Sequence, residues 1–198
     1  MMSLEPRRLP GAKRFLAVPL LAAALLGGGC LSTLLPAPAP ADVVYRLSPM
    51  GSSVPAATAA VVIRVDRPTA PGILMGQGIV VSPDGTRMAT AGQARWAEAT
   101  PALVQNSFFD ALSTRENLTG VLPTSGARTS YRAHLTIRNF EARFDKGESS
   151  APLVIVHYTA TVSDSGSREL KGTFDTRKTV RANDINVSAI VKAQGEAN

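Results

Sequence analysis

The side chains that could catalyse a reaction or bind a metal are few and scattered in this chain of 198 residues. It has two histidines, His134 and His157, and they fall on different predicted strands. A catalytic zinc site normally uses three protein ligands, so two separated histidines would need carboxylates brought to them from elsewhere. We therefore interpret both as ordinary surface or half-buried histidines, and we expect no metal site.

The motifs of the common enzyme classes are missing or incomplete. Gly76-Gln77-Gly78 matches part of a dinucleotide-binding fingerprint, but the third glycine is missing, and a strand and hairpin follow where a helix is required. The sequence has neither a Gly-x-Ser-x-Gly nucleophile motif nor a phosphate-binding loop. We predict that the protein is not an enzyme and that it uses no cofactor.

The single cysteine, Cys30, lies in a context that gives it a chemical role. It follows Gly27-Gly28-Gly29 and the apolar run Phe15–Leu26, which basic residues precede. That run has the length of a signal-peptide core and is short for a membrane span, which needs about 20 residues. The segment resembles the signal and lipobox of bacterial lipoproteins. The resemblance implies cleavage before Cys30 and acyl chains attached to its sulfur.

Residues 1–29 are accordingly interpreted as a lipoprotein signal peptide, with the covalent lipid on Cys30 as the membrane anchor. At ~0.8 kcal/mol per buried methylene, two or three acyl chains hold a protein on a membrane almost permanently. In such lipoproteins an aspartate after the cysteine commonly causes retention at the inner membrane. Here that residue is Leu31, which favours the outer membrane with the domain facing the periplasm. One uncleaved anchor over residues 15–35 is the alternative.

Residues 30–42 are predicted to form a tether. Proline alternates with alanine from Pro36 to Ala41. This composition favours an extended polyproline II conformation of about 3.1 Å per residue, so the segment would reach roughly 35 Å. The folded domain could then stand away from the lipid surface.

The formal net charge of +6 does not indicate a nucleic-acid-binding protein. The basic residues are scattered singly along the chain, without a run of Lys or Arg. A nucleic-acid-binding domain would be expected to cluster them on one face or along one helix. We predict a mixed-charge solvated surface and no nucleic-acid partner.

From Val43 onward the pattern is typical of strands with few helices. The turn Ser82-Pro83-Asp84-Gly85 predicts a hairpin, because proline presets the first turn dihedral and glycine accepts the left-handed exit. The nearly continuous apolar run at 59–65 indicates a strand covered on both faces. Strands are predicted at 43–47, 59–65, 78–81, 86–90, 131–144, 153–162 and 170–180.

Two helices are predicted. Thr100-Pro101 indicates an N-cap followed by proline in the first turn, and this central helix spans about 100–114. Its apolar face is Leu103, Val104, Phe108, Ala111 and Leu112. A second amphipathic pattern begins at Asp184, includes Ile185, and reaches Ala197, and we expect the sequence to stop inside this C-terminal helix. The prediction is a single α+β domain over 43–198, with a mixed, largely antiparallel sheet.

The segment Gln93–Glu98, directly before the central helix, contains the only tryptophan. We interpret Trp96 as filling the junction between sheet and helix, with contact to a partner or to lipid as the alternative. Phe109, next to Phe108, is open to the same two interpretations: an interaction residue, or the edge of the core.

In this order the segments resemble the ABC-type transport auxiliary lipoproteins. The resemblance covers most of residues 30–190. It rests on the lipobox cysteine, a short linker, Tyr45-Arg46-Leu47-Ser48-Pro49, the strand Val61–Val65, the hairpin from Gly78 to Met88, and Ala94-Arg95-Trp96-Ala97-Glu98 leading into a helix.

The resemblance implies a three-layer α/β arrangement similar to anticodon-binding domains, a label that implies nothing about RNA. It also implies an outer-membrane docking partner for the MCE-domain periplasmic subunit of an ABC system that moves lipid between membranes. The permease and ATPase would be separate chains, and a homo-oligomeric ring is left open. Candidate partner-contact or structural residues are Tyr45, Leu47, Arg95, Trp96 and Phe109.

Two other functions remain open at this point. A periplasmic lipid-binding module would carry a hydrophobic ligand itself, and it would need an enclosed apolar cavity. An envelope-modifying enzyme would need converging acid and base side chains, for which Glu98, Asp110, His134 and His157 are the candidates.

Overall fold

The structure, a computed structural model, describes residues 40–47 and 61–198. The chain divides into two units, Met1–Pro40 and Ala41–Asn198, and all described strands and helices belong to the second. The predicted signal peptide, Cys30, most of the tether and the first residues of the strand predicted at 59–65 lie outside the described residues.

Eight strands and two α-helices make up the described part of the domain. The strands are β1 (Val43–Tyr45), β2 (Val61–Val65), β3 (Gly78–Ser82), β4 (Ala89–Trp96), β5 (Leu118–Val121), β6 (Tyr131–Arg143), β7 (Leu153–Asp164) and β8 (Leu170–Arg181). The helices are α1 (Thr100–Ser113) and α2 (Val187–Ala197), with short 3-10 turns at Gly72–Met75 and Pro123–Ser125. The predicted α+β class is confirmed.

The long strand β6 is the centre of a single mixed sheet. Along one edge it pairs with β7, which in turn pairs with β8, and both pairings are antiparallel. Along its other edge it pairs with two short parallel strands, β2 beside Tyr131 and β3 beside Arg143. β5 extends the sheet from β2, while β4 and then β1 extend it from β3. Antiparallel pairing therefore joins the longest strands, as predicted.

Alternation along β6 gives the sheet one apolar and one polar face. Leu135 and Ile137 are buried on the apolar face, and the register places them opposite Ala160 and Tyr158 of β7. The buried residues of α1 and α2 belong to the same hydrophobic cluster as these strand residues. Within the described residues both helices therefore lie on the apolar face, and the core fills the space between them and the sheet.

Helix α1 begins at Thr100, but the predicted cap is wrong. The N-cap residue is Ala99, and no side chain caps this end of the helix. The fully buried Thr100 hydroxyl instead donates a hydrogen bond to the Gly76 carbonyl oxygen at 3.4 Å. Pro101 lies in the first turn as predicted, where its missing N–H costs no helical hydrogen bond.

Helix α2 begins later than predicted. Its N-cap is Asn186, whose Oδ1 accepts a hydrogen bond from the Ala189 N–H at 2.9 Å. Ile185 was predicted to lie on the apolar helix face, but it precedes the helix and is 49% exposed. The reason is local: the Asp184 carboxylate accepts the Ile185 N–H in a turn that comes before the cap.

Two strand predictions also need correction. The second strand of the predicted hairpin starts at Ala89, because Asp84 Oδ1 accepts the N–H groups of Thr86 and Arg87 and keeps them in the turn. It continues to Trp96, so the segment predicted to lead into the helix is the end of β4. In β2 only Val65 is fully buried and the other four residues are half-buried, so the prediction that this strand is covered on both faces is wrong.

Candidate functional site

Trp96 lies at the centre of the core. Its side chain is fully buried, and its ring packs against that of Phe140 with centroids 5.9 Å apart and an interplanar angle of 56°. Its Nε1 has no hydrogen-bond partner among the described residues. A side chain in this position contributes packing and presents no surface to a partner or to lipid.

Tyr45 and Leu47 connect the start of the domain to its last helix and its core. Tyr45 is opposite Trp96 in the parallel β1–β4 pairing. Its hydroxyl lies 3.1 Å from Ser188 Oγ in the first turn of α2. Leu47 is half-buried against the hydrophobic core. Both side chains therefore hold β1 in place.

Arg95 is partly exposed at the same edge of the sheet. Its Nη1 donates to Gln77 Oε1 at 3.1 Å, and its Nε lies 3.7 Å from Asp42 Oδ2. These contacts link β4 to the residues before β1 and before β3. The ion pair has two exposed partners and is worth at most about 1 kcal/mol.

Phe109 packs on β5. A Cβ added at Gly120 would lie 3.1 Å from Phe109 Cδ2, so the ring lies directly over the glycine backbone. Phe109 is half-buried and belongs to the contact between α1 and β5. Its neighbour Phe108 points to a different surface, described below.

The two histidines have different hydrogen-bond partners. His134 Nε2 lies 3.4 Å from Thr69 Oγ1, whereas His157 Nε2 lies 3.0 Å from both carboxylate oxygens of Asp175. Residues 40–47 and 61–198 include no group of three His, Cys, Asp or Glu that could hold a metal ion. Glu98, another candidate acid, accepts hydrogen bonds from the Asn106 amide.

An apolar groove of about 190 Å³ opens over the sheet between α1 and the end of α2. Leu135 and Ala160 belong to its sheet side, and Phe108 and Ala111 belong to its α1 side. Phe174 of β8 lines it from the outer strand and is 59% exposed. The small side chains at positions 111 and 160 leave the space that forms the groove.

Two polar residues of the groove, Tyr158 and Asn198, meet at its α2 end. The Tyr158 hydroxyl donates to Asn198 Oδ1 at 2.5 Å, and burial raises the pKa of this phenol above its usual value. Tyr158 is therefore neutral and acts as a hydrogen-bond donor at physiological pH. On β8, Lys178 Nζ donates to the Glu196 carbonyl oxygen of α2. These contacts fix the end of α2 against β7 and β8.

Sequence reasoning did not identify the groove residues Tyr158 and Phe174. Tyr158 alternates with Val156 and Ala160 on the apolar face of β7 and gives the pattern of a core residue. Phe174 did offer a signal, since it is the one aromatic residue in the largely polar strand β8. None of the candidate residues Tyr45, Leu47 or Trp96 lines the groove.

Within the part of the chain that the structure describes, neither helix has the length and hydropathy needed to cross a membrane.

Comparison with known proteins gives a family and a fold. Residues 45–198 match the family model described as ABC-type transport auxiliary lipoprotein component. The crystal structure of protein XCC0632 from Xanthomonas campestris has a TM-score of 0.67 and 17% identity, covering 78% of this chain and 87% of that one. A search of curated proteins found no significant match.

A second crystal structure, of an uncharacterized protein, has a TM-score of 0.63 and 16% identity over 79% of this chain and 91% of that one. At these identities the two structures show the fold alone. The family match, in contrast, spans the domain from Tyr45 to the last residue. The chain therefore belongs to the family of ABC-type transport auxiliary lipoprotein components.

Proposed function

We propose that this protein is an outer-membrane lipoprotein, anchored by acyl chains on Cys30 and facing the periplasm. In this proposal it is the docking component of an MCE-type ABC system for phospholipid transport between membranes. Its partner is the MCE-domain periplasmic subunit of that system. The energy comes from the ATPase, which is a separate chain.

The observation that carries the proposal is the open apolar groove beside α1. Its volume of about 190 Å³ is below the 300–1,000 Å³ typical of small-molecule sites, but it has room for an aliphatic or aromatic side chain. Protein interfaces obtain most of their binding energy from a few such anchors seated in pockets. Phe174, exposed at the groove, adds apolar surface for the same contact.

The same dimensions count against the alternative of a lipid carrier. A carrier must enclose the acyl chains of its cargo, whereas this groove is open and small. Organic extraction of the purified full chain, followed by mass spectrometry, distinguishes the two. A phospholipid recovered in a fixed ratio to protein, beyond the acyl groups on Cys30, would favour the carrier.

An envelope-modifying enzyme has less support, because the candidate groups do not converge. Glu98 binds Asn106, while His157 binds Asp175 on a different part of the sheet. Alanine replacement of Glu98, Asp110, His134 and His157 should leave in vivo function intact. If any of these four alanine variants is folded but has lost function, the result would support the enzyme hypothesis.

Filling the groove tests the docking function directly. Ala111→Phe adds a ring to the α1 side of the groove and should block the partner's anchor side chain. Asn106→Phe is the matched control, since it adds the same ring to an exposed position of the same helix outside the groove. The full chains are co-expressed with tagged candidate MCE subunits and extracted in detergent.

The expected result is capture of the wild-type chain and of Asn106→Phe, with at least a tenfold loss for Ala111→Phe. Circular dichroism verifies that all three chains are folded. If no MCE subunit retains the wild-type chain, with detergent or without, the proposed partnership is wrong. If Ala111→Phe is captured as well as the wild type, docking does not use the groove.

A further inference from the structure

Strand β8 forms one edge of the sheet, and its outer side is free. It pairs with β7 on one side, and within residues 40–47 and 61–198 no strand pairs with the other. All but two of its residues, Gly172 and Val180, are exposed. A long exposed edge presents unpaired backbone N–H and C=O groups, which are a template for one more strand.

The apolar groove reaches the same edge. Phe174 and Thr176 of β8 line it, and the register places them opposite Ala160 and Tyr158 of β7, which line it as well. A strand added to β8 keeps the alternation of the sheet, so its side chains opposite Phe174 and Thr176 lie on the helix-covered face beside the groove. Aromatic and long aliphatic side chains reach over such cross-strand distances.

The basic residues of β8 are concentrated at its C-terminal end. Arg177, Lys178 and Arg181 lie there, whereas only Lys171 lies in the first half. Lys171 and Arg181 form salt bridges with acidic residues outside the strand. Among the described residues Arg177 and Lys178 form none, although the Lys178 ammonium contacts a carbonyl oxygen of α2. Their two positive charges are therefore available to carboxylates of a partner.

The one acidic residue of β8, Asp175, has both carboxylate oxygens in use. Each lies 3.0 Å from His157 Nε2, and Oδ2 also accepts a hydrogen bond from Thr159 Oγ1 at 3.1 Å. An uncharged residue opposite Asp175 leaves these contacts intact, whereas an acid there would face a like charge. The charges therefore select a partner strand that has acids only at the basic end of β8.

We propose that docking adds a strand of the partner protein to the free edge of β8. The partner segment has acids opposite Arg177 and Lys178, and an aromatic or long aliphatic residue opposite Thr176 that reaches the groove. A second copy of β8, with four basic residues against one acid, does not have this pattern. In strand addition the main-chain hydrogen bonds supply affinity and the alternate side chains supply specificity. This mode of binding rests on the docking function proposed above, because it uses the same groove.

Two peptides of seven residues test strand addition without any MCE subunit. Thr-Glu-Glu-Phe-Thr-Leu-Thr fits an antiparallel strand opposite residues 173–179, and the reversed sequence fits a parallel strand there. Fluorescence anisotropy of the labelled peptides measures binding to the full chain in detergent. One of the two orders should bind at least tenfold more tightly than the other. It should also bind at least tenfold more tightly than its control with lysine in place of both glutamates.

Variants of the chain test where the peptide binds. Arg177→Glu should weaken binding of the glutamate peptide at least tenfold and should strengthen binding of the lysine peptide. Arg138→Glu is the matched control, since it makes the same charge change at an exposed position of β6, two strands from the edge. Ala111→Phe fills the groove, so it should remove the difference in binding between the peptide and its alanine-for-phenylalanine control.

Hydrogen exchange followed by NMR tests the backbone pairing. Alternate N–H groups of β8 point to the free side, because the others point to β7. The bound peptide should slow the exchange of these alternate amides at least tenfold and should leave the amides of β6 unchanged. A peptide held by its charges alone would not give this alternation.

Four results would overturn the proposal. They are no binding of either peptide, equal binding of both, equal effects of Arg177→Glu and Arg138→Glu, or unchanged amide exchange in β8. If the phenylalanine still adds affinity in the Ala111→Phe chain, the partner's apolar residue does not enter the groove. Circular dichroism verifies that each variant is folded.

The peptide results and the MCE capture experiment can fail separately. A chain that binds the peptide but is retained by no MCE subunit would contradict the partnership and support strand addition. A wild-type chain that is captured by an MCE subunit but binds neither peptide would support docking and contradict strand addition.

Discussion

The rings of Trp96 and Phe140 meet in the core with centroids 5.9 Å apart and an interplanar angle of 56°. This pair joins the end of β4 to the C-terminal part of β6, so it connects the edge formed by β1, β4 and β3 to the longest strand of the sheet. Tilted aromatic pairs of this kind contribute about 0.5–1.5 kcal/mol beyond the burial of their surface.

Removing the indole should therefore destabilise the whole domain. We expect Trp96→Ala to lower the free energy of unfolding by roughly 3–5 kcal/mol, as large buried aromatic residues do when truncated. Phe174→Ala is the control, because that ring is largely exposed and should change stability by less than about 0.5 kcal/mol. Urea denaturation followed by circular dichroism measures both. Equal midpoints for Trp96→Ala and the wild type would contradict the role of this pair.

The N-terminus of α2 should depend on its cap. Asn186→Ala removes the acceptor of the Ala189 N–H and should cost about 0.5–2 kcal/mol of stability. Asn186→Ser should restore most of it, because serine caps as well as asparagine does. Asn183→Ala, at an exposed position before the helix, is the neutral control. If Asn186→Ala matches Asn183→Ala in urea denaturation, the cap does not stabilise α2.

Acid should destabilise the domain through its paired carboxylates. The Arg181 guanidinium holds the pKa of Asp145 below its usual value of 3.8, and the backbone N–H of Ser167 lowers that of Asp164. A carboxylate whose pKa is lower in the folded protein than in the unfolded chain stabilises the fold, and its contribution is fully present above the unfolded pKa. That contribution is lost as the pH falls through the folded pKa. Stability should therefore be steady near neutrality and decline below about pH 4.

Denaturant midpoints measured from neutral pH to about pH 3 check this dependence. Asp145→Asn cannot titrate, so its midpoint should be lower near neutrality and should change less on acidification than that of the wild type. A variant with the same acid slope as the wild type would show that the ion pair with Arg181 is not one of the groups responsible.

Membrane attachment should depend on one sulfur atom. Cys30→Ala removes the proposed acylation site, and we expect the protein to move from the membrane fraction to the soluble fraction after cell lysis. Ser32→Ala, two residues away, should stay with the membranes. Mass spectrometry of the wild-type N-terminal peptide should show diacylglycerol on Cys30. Tight attachment of Cys30→Ala would instead support one uncleaved anchor over residues 15–35.

The elements encoded by local pattern were predictable from the sequence. Strict alternation from Tyr131 onward indicates β6, the Pro83-Asp84-Gly85 turn predicts the β3–β4 hairpin, and helical spacing from Leu103 indicates α1. Each of these signals acts over neighbouring residues, so no knowledge of the rest of the fold was needed.

The parallel pairings were not predictable in the same way. β1 pairs with β4, and β2 pairs with both β5 and β6, across long stretches of sequence. No turn fixes the register of a parallel pair, because the partners are joined by long connections rather than by a hairpin. The location of Trp96, at the end of β4, depends on these pairings.

The groove also could not be predicted from the sequence. Two of its lining residues, Ala111 of α1 and Ala160 of β7, are small and come together at the groove only in the folded chain. In the sequence, both alanines are ordinary members of an apolar pattern. Phe108 was predicted to lie on the apolar helix face, and Phe109 was left open between an interaction residue and the edge of the core. In the structure Phe108 lines the groove and Phe109 packs on β5.

The short strand β1 has a mechanical consequence for a protein held by one end. Any pull from a lipid anchor reaches the ion pair between Asp42 and Arg95 first, and then the three residue pairs of β1 with β4 and the hydroxyl contact between Tyr45 and Ser188. Elements with so few buried contacts open before the rest of a domain. Under tension β1 would detach from β4 while the long strands stay folded. The tether would then lengthen by several residues without unfolding the rest of the domain.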